Sequence, residues 1–449
     1  MKKFMTLLLA AGMMMTAANG ASAADLKVSG GWGNSIDFSD NMIGKDALNK
    51  DRKGDEGHFD SQNRLRLDMD FVVSEALSGR MQLQSWTFGF GTENVLKARM
   101  LYVDWLVPGT DVQVRMGLQP FAMPSYVSGS PILDDPFDGV SVHAPINDMV
   151  ALNAGWIRLK GDMNLEFDQE YKAHGNVDLA YLNANISGEN FEVTPWFMAG
   201  RAGSRALAED GKATGFAKTY LGNSTDAFNG GSNVMLYWAG LGGELNFDPF
   251  RFTADFAYTA NDADNQFERK GWYAALGAEM NTEFGTPFVK GWYASGEDDD
   301  LTNGSERMLG NMGGAFDVSP TLFDGDFQLF FARPDHNTPY GTWGVELGIK
   351  GVSFMDKLSH NFNVTYVQGT NDEAFASHVG ADTNAAIKAM TSGDRVFDFG
   401  FTTTYEVYKN LSAGLLLAYM VTDFDEDLAG RDFNMGNSFR GTLCFFYGF

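Results

Sequence analysis

The sequence predicts an all-β chain, closed into one large transmembrane antiparallel β-barrel. Three observations carry that reading. The chain ends on Phe439–Phe449, FRGTLCFFYGF. There Phe439, Gly441, Leu443, Phe445, Tyr447 and Phe449 share one face of a strand, and Arg440, Thr442, Cys444, Phe446 and Gly448 share the other. An exposed aromatic edge invites aggregation, and pairing the last strand with the first removes it. The second observation is that short turns and long polar connections take turns along the chain, which puts the long ones at one rim. The third is that ionisable side chains recur at every second position of the strands, where they need a wet interior.

Composition agrees. The 449 residues include 33 basic and 58 acidic ones, a net charge of -25, which excludes a nucleic-acid binder lacking the basic patch that phosphates require. Gly is abundant at 52, Pro scarce at 12, and aromatics reach 14%, a mix suited to many strands and turns. The mean hydropathy of -0.21 fits a barrel in which half of each strand faces water. A single cysteine, Cys444, excludes an internal disulfide framework.

Residues 1–23 read as a secretory signal: Lys2 and Lys3, an apolar run from Phe4 to Met15, then Ala21-Ser22-Ala23 with cleavage expected between Ala23 and Ala24. Residues 24–449 then form a single barrel domain. No later apolar run is long enough for a helical span.

The first mature strand is Leu26 to Phe38. Asp60 to Ser74 follows a polar segment and alternates cleanly, with Leu65, Leu67, Met69 and Phe71 opposing Arg64, Arg66, Asp68 and Asp70. Further on, Phe252, Ala254, Phe256 and Tyr258 oppose Arg251, Thr253 and Asp255. Phe362, Val364 and Tyr366 oppose Asn361, Asn363 and Thr365, and Phe397, Phe399 and Phe401 oppose Asp398 and Thr402. Short links fall at Glu75–Gly79, Pro108–Asp111, Asn147–Asp148, Gly188–Asn190, Asp248–Pro249, Gly285–Thr286, Met355–Ser359 and Tyr408–Asn410. The other connections are long, except Thr92–Leu96. The count is about 18 strands, with 16 as the alternative; Asp326–Arg333 reads as a loop hairpin or an extra strand, and the first strand could be irregular. Short turns are expected on the periplasmic side and long loops outside. Trp272-Tyr273 and Trp292-Tyr293, near strand ends, suit an interfacial belt.

The third long connection, Phe121 to Asp138, is less polar than the others. It carries Pro124, Pro131 and Pro136 with acids at Asp134, Asp135 and Asp138. A loop this apolar should pack against something rather than extend into solvent.

The C-terminal strand resembles that of outer-membrane β-barrel proteins, in which a terminal Phe and alternating aromatics are read by the barrel-insertion machinery; Leu443, Phe445, Tyr447 and Phe449 match, and Phe446 departs. In architecture the mature chain resembles the general diffusion porins of Gram-negative outer membranes, and within them the homotrimeric porins of sulfate-reducing bacteria. That resemblance implies a third loop folded into the lumen, with Tyr126, Asp134, Asp135 and Asp138 at the constriction. Arg64, Arg66 and Arg115 would form the opposing basic wall, setting up a transverse field. It implies export through the periplasm, contacts with outer-membrane lipid and lipopolysaccharide, a homotrimer, and passive diffusion of ions and small hydrophilic solutes without a cofactor. The very short Thr92–Leu96 connection departs from the family's latching second loop. Total charge tips the expectation to cations, although arginines at the constriction would act against it.

Other readings remain. A substrate-specific channel for a sugar or an inorganic anion needs an aromatic track or a one-sign basic eyelet, for which Trp86 and Tyr126 are possible pieces. A structural or adhesive barrel needs a plugged lumen. A secreted soluble β protein is a fourth reading. The acidic runs Asp298-Asp299-Asp300 and Asp423–Asp427 are candidates for a divalent cation. Motifs G-x-S-x-G, H-E-x-x-H, Walker A and G-x-G-x-x-G are absent, and the six histidines are scattered, so no catalytic step is expected.

Overall fold

In the computed structural model, the residues described are 24–40, 58–88, 95–160, 175–209, 212–213, 233–263, 268–300, 302–309, 316–319, 339–377, 390–425, 428 and 437–449. The expected signal segment, Asp326–Arg333 and most of the Thr92–Leu96 connection lie outside them. The strands are β1 (Asp25–Asp40), β2 (His58–Ser74), β3 (Leu77–Phe88), β4 (Val95–Leu106), β5 (Gln113–Ala122), β6 (Asp134–Asn147), β7 (Val150–Lys160), β8 (Val177–Ser187), β9 (Phe191–Ala202), the two-residue pair β10 (Ala208–Glu209) and β11 (Lys212–Ala213), then β12 (Val234–Phe247), β13 (Phe250–Asn261), β14 (Lys270–Met280), β15 (Thr286–Ala294), β16 (Thr342–Val352), β17 (Leu358–Gly369), β18 (Arg395–Tyr408), β19 (Leu411–Asp423) and β20 (Ser438–Gly448).

Eighteen of these strands form one closed antiparallel sheet, and β10–β11 stand apart as a small hairpin. Each barrel strand pairs with its sequence neighbours, β9 pairing with β12 past the small hairpin. Closure joins the ends of the chain: β1 pairs with β20 from Gly31–Gly448 to Asp40–Phe439. One step further, Gly30 N–H donates to Phe449 O at 2.9 Å, and Phe449 N–H returns a bond to Gly30 O at 3.0 Å. Gly30 is required there, because a Cβ would sit 2.8 Å from the Phe449 ring.

The alternation of the strands sorts side chains into an outer and an inner surface. Phe252, Phe256 and Tyr258 on β13 are outward and exposed, while Thr253, Asp255 and Ala257 between them are buried within the barrel. On β20, Leu443, Phe445 and Tyr447 are outward, as is Phe449 just past its end, and Cys444 is buried inward. An outer wall of Phe, Leu, Val and Tyr suits hydrocarbon, where a charge at the midplane costs about 2–4 kcal/mol. Among the described residues no helix is long and apolar enough to cross a membrane.

Short connections, including Asn147–Val150, Phe247–Phe250 and Tyr408–Leu411, alternate with the others from rim to rim, and the rim opposite them carries the long connections and one brief one, between Phe88 and Val95. Both described ends of the chain sit at the short-turn rim.

The paired aromatics divide between the two surfaces. Trp272 and Tyr293 face outward and stack at 4.7 Å. Tyr273 and Trp292 point inward, are almost fully buried, and both meet Phe316 edge-on, at 6.1 and 5.3 Å. Only one ring of each pair therefore serves an interfacial belt, because adjacent residues on a strand face opposite ways.

Candidate pore constriction

The third connection is shorter than its sequence suggests. β5 continues through Phe121 and Ala122, and β6 begins at Asp134. Asp134, Asp135 and Asp138 are therefore strand residues, a correction to their placement in a loop. The prolines misled the reading: Pro120 and Pro136 face each other across the β5–β6 ladder. A wide, non-hydrogen-bonded pair of an antiparallel ladder needs neither N–H. The loop proper is 123–133, closed at its base by Met123 N–H to Leu133 O at 2.9 Å.

This loop crosses the lumen and docks on the far wall. The Asp255 carboxylate of β13 accepts bonds from Tyr126 N–H at 2.9 Å, Val127 N–H at 2.8 Å and the Ser125 hydroxyl at 2.8 Å. The Tyr126 hydroxyl donates to Glu192 Oε1 of β9 at 2.6 Å and lies 2.7 Å from Thr194 Oγ1. The ring passes so close to β12 that a Cβ on Gly242 would sit 2.7 Å from it. Burial and the bond to Glu192 raise the Tyr126 phenol above its ordinary value. Tyr126 thus anchors the loop tip and is only half-exposed. Val127, Ile132 and Leu133 are buried beside inward residues of the wall.

A second inserted segment packs against the first. Asp317 N–H donates to Ser128 O at 2.8 Å, and the Tyr340 hydroxyl donates to Pro131 O at 2.6 Å. Thr365 Oγ1 of β17 donates to Val318 O at 2.8 Å, and the Ser319 hydroxyl bonds the buried Asp398 of β18. Met308, Leu309, Phe316 and Val318 join Tyr273, Trp292, Val367 and Val396 in a continuous apolar core inside the barrel. The inner surface is thus not uniformly wet. It turns apolar toward the long-loop rim, as on β14, where inward Glu279 gives way to Ala275 and Tyr273, and that change was a signal present in the sequence.

The facing wall, β2 to β5, is basic. Arg64, Arg66, Arg80, Lys97, Arg99 and Arg115 all fall on its inner face, with Gln82 and Gln84 added by β3 and Gln119 by β5. Arg66 Nε donates to Gln84 Oε1 at 2.9 Å, and Arg99 Nη1 to Gln82 Oε1 at 3.0 Å. Arg64 lies with its guanidinium carbon 5.9 Å from the Trp86 ring centre. Arg80 and Arg115 are held differently, each in a two-pronged pair, with Asp70 at 2.6 and 2.9 Å and with Asp104 at 2.6 and 2.9 Å. Arg115 also covers the Tyr102 ring at 4.1 Å. Lys97 and Arg99 were not singled out from the sequence; a bulge opposite Gln82 and Leu83 brings Arg99 inward.

The candidate residues therefore do not form one ring. Arg64 and Arg66 lie together on β2, and Asp135 faces inward within electrostatic reach of Arg66, Lys97 and Arg99. Arg115 belongs with Asp104, nearer the short-turn rim. Asp138 lies opposite Leu118 and Arg158 on the outward-facing alternation, in a row continued by the Arg158–Asp178 ion pair at 2.9 Å. Asp134 shares that alternation. The opposite wall carries Glu244, Glu279 and Glu346, and cations are paired with them: Arg251 with Glu244 at 2.6 Å, Lys350 with Glu279 at 2.8 Å, and Lys290 with Glu346 at 3.4 Å.

No protein-family model matches the chain. No curated protein matches it in sequence. Solved structures match in fold. Pseudomonas aeruginosa OccK9 (OpdG) is 11% identical with a TM-score of 0.56, covering 94% of this chain and 98% of its own. Acinetobacter baumannii OccAB3 is 9% identical with a TM-score of 0.54, covering 94% and 100%. Pseudomonas aeruginosa OccK2 (OpdF), solved in complex with glucuronate, is 10% identical with a TM-score of 0.54, covering 94% and 98%. At these identities the likeness is one of fold: a closed 18-stranded antiparallel barrel.

Proposed function

We propose that the protein is an outer-membrane channel passing small hydrophilic solutes down their gradients. Its narrowest passage lies between the loop seated on Asp255 and the basic inner wall of β2 to β4. The observation that carries this reading is the loop itself: Tyr126 and Val127 are bonded to a carboxylate on the far side of the barrel. A closed barrel with an apolar outer wall has no soluble role that explains both surfaces.

Between a general diffusion pore and a substrate-selective one, the inserted apolar core favours selectivity, because it fills lumen that a wide pore would leave to water. Arg64, Arg66, Lys97 and Arg99 on one wall favour anions, against the expectation from net charge. Selection is set by the charges at the narrowing rather than by the total. Glucuronate, bound by OccK2 (OpdF), is a natural first probe.

The finer expectations stand on the same footing. Export by residues 1–23, recognition of the last strand by the barrel-insertion machinery, contact with lipopolysaccharide and assembly as a homotrimer all belong to this proposal. Asn34 of β1 faces Asn63 of β2 on the outer surface. Two amides on a wall meant for lipid favour a subunit contact there.

Liposome swelling with solutes graded in size and charge tests the function. Swelling in small organic anions and sugars, faster for the anions, is expected. Intact liposomes that hold folded protein and do not swell in any solute would overturn it.

A further inference from the structure

A cluster of oxygen ligands lies outside the lumen, in the connection that follows β15. Oxygen atoms of Glu297, Asp298 and Glu306 all lie within 4.8 Å of one another. Calcium holds carboxylate oxygens at about 2.4 Å, so two ligands of one ion are at most about 4.8 Å apart. The three oxygens therefore fit a single ion.

A second, independent feature points the same way. Glu297 is only 5% exposed. Its Oε2 accepts from the Ser305 hydroxyl at 2.6 Å, while its Oε1 is buried with no hydrogen-bond partner among the described residues. The charges of Arg307 and Arg269 act on this carboxylate from nearby, yet neither gives Oε1 a bond. Among the described residues Oε1 therefore keeps a buried acceptor site open for a cation.

The frame is fixed before any ion arrives. Glu297 N–H donates to Asn371 Oδ1 at 3.0 Å, and Asp372 N–H donates to Glu297 O at 2.8 Å. The Ser295 hydroxyl donates to Glu306 O at 2.5 Å.

We propose that Glu297, Asp298 and Glu306 bind one divalent cation, calcium in chemical class, at the long-loop rim. Hard cations take such all-oxygen sets. The bound ion fixes the root of the segment inserted in the lumen. Leu309, just past Glu306, is fully buried and donates its N–H to Thr259 Oγ1 at 2.9 Å. The site goes beyond the channel reading and does not depend on it.

Calorimetric titration of calcium into the folded, chelator-treated protein tests this. One ion per chain is expected, with affinity at about 10⁻⁴–10⁻³ M, as in other extracellular oxygen sites. D298N and E306Q should each weaken binding at least about tenfold by removing ligand charge, and D299N, outside the cluster, should bind like the wild type. Glu297 is buried, so E297Q is left aside in case it fails to fold; heat-modifiable gel migration confirms that the other variants are barrels. Absence of binding by the folded wild type, or wild-type affinity in both D298N and E306Q, would overturn the proposal.

Discussion

The Asp255 carboxylate on β13 accepts the backbone N–H of Tyr126 at 2.9 Å, although the two residues lie 129 positions apart. This contact, with the neighbouring Val127 N–H and Ser125 hydroxyl, turns a surface connection into a bar across the lumen. Asp255→Ala removes the acceptor for all three donors. Each buried donor left unpaired costs about 1–3 kcal/mol, enough to release the loop tip. Single-channel steps larger and noisier than wild type are expected, from a barrel that still shows heat-modifiable migration.

Gly242 offers a second way to the same effect, by crowding the contact and not by removing a polar group. A side chain there meets the Tyr126 ring at 2.7 Å and Asp255 Oδ1 at 2.8 Å. Gly242→Val should push the ring off β12 and reproduce the enlarged steps of Asp255→Ala. Unchanged steps would show that the loop tip does not govern conductance.

Arg66 and Arg115 sit on the same inner wall but in different company. Arg66 hydrogen-bonds a neutral amide, whereas Arg115 is neutralised by Asp104 at 2.6 Å. Reversal potentials in a salt gradient should therefore move toward cations in Arg66→Ala, and less in Arg115→Ala. The second variant should instead lose stability, about 1.5–3 kcal/mol for hydrogen bonds to a charged group, measurable by denaturant unfolding.

Phe316 fills the space between Tyr273 and Trp292. Phe316→Ala should cost about 3–5 kcal/mol of packing. The cost falls on docking of the inserted segment, since the strands keep their ladder. Faster protease cleavage within residues 295–341, with unchanged thermal unfolding of the barrel, is the expected readout.

Closure, the two rims and the outer face were legible because strand periodicity acts locally: Phe445 and Tyr447 must face alike whatever surrounds them. The arginines Arg64 and Arg66 were legible for the same reason. Asp138 was not, because one residue of phase separates the lumen from the outer wall, and Pro136 disguised the start of β6. Tyr126 was read as part of the constriction, but its anchorage on Glu192 and Asp255 depends on contacts between strands far apart in sequence. Leu309, Phe316 and Val318 were hidden in a long connection whose partners, Thr259, Trp292 and Thr365, lie on three different strands.

The most direct measurement is single-channel conductance of the purified, folded protein in a planar bilayer, beside Asp255→Ala. The account predicts steady, discrete steps for the wild type and larger steps for the variant. Folded, inserted protein that passes no current in either form would contradict it.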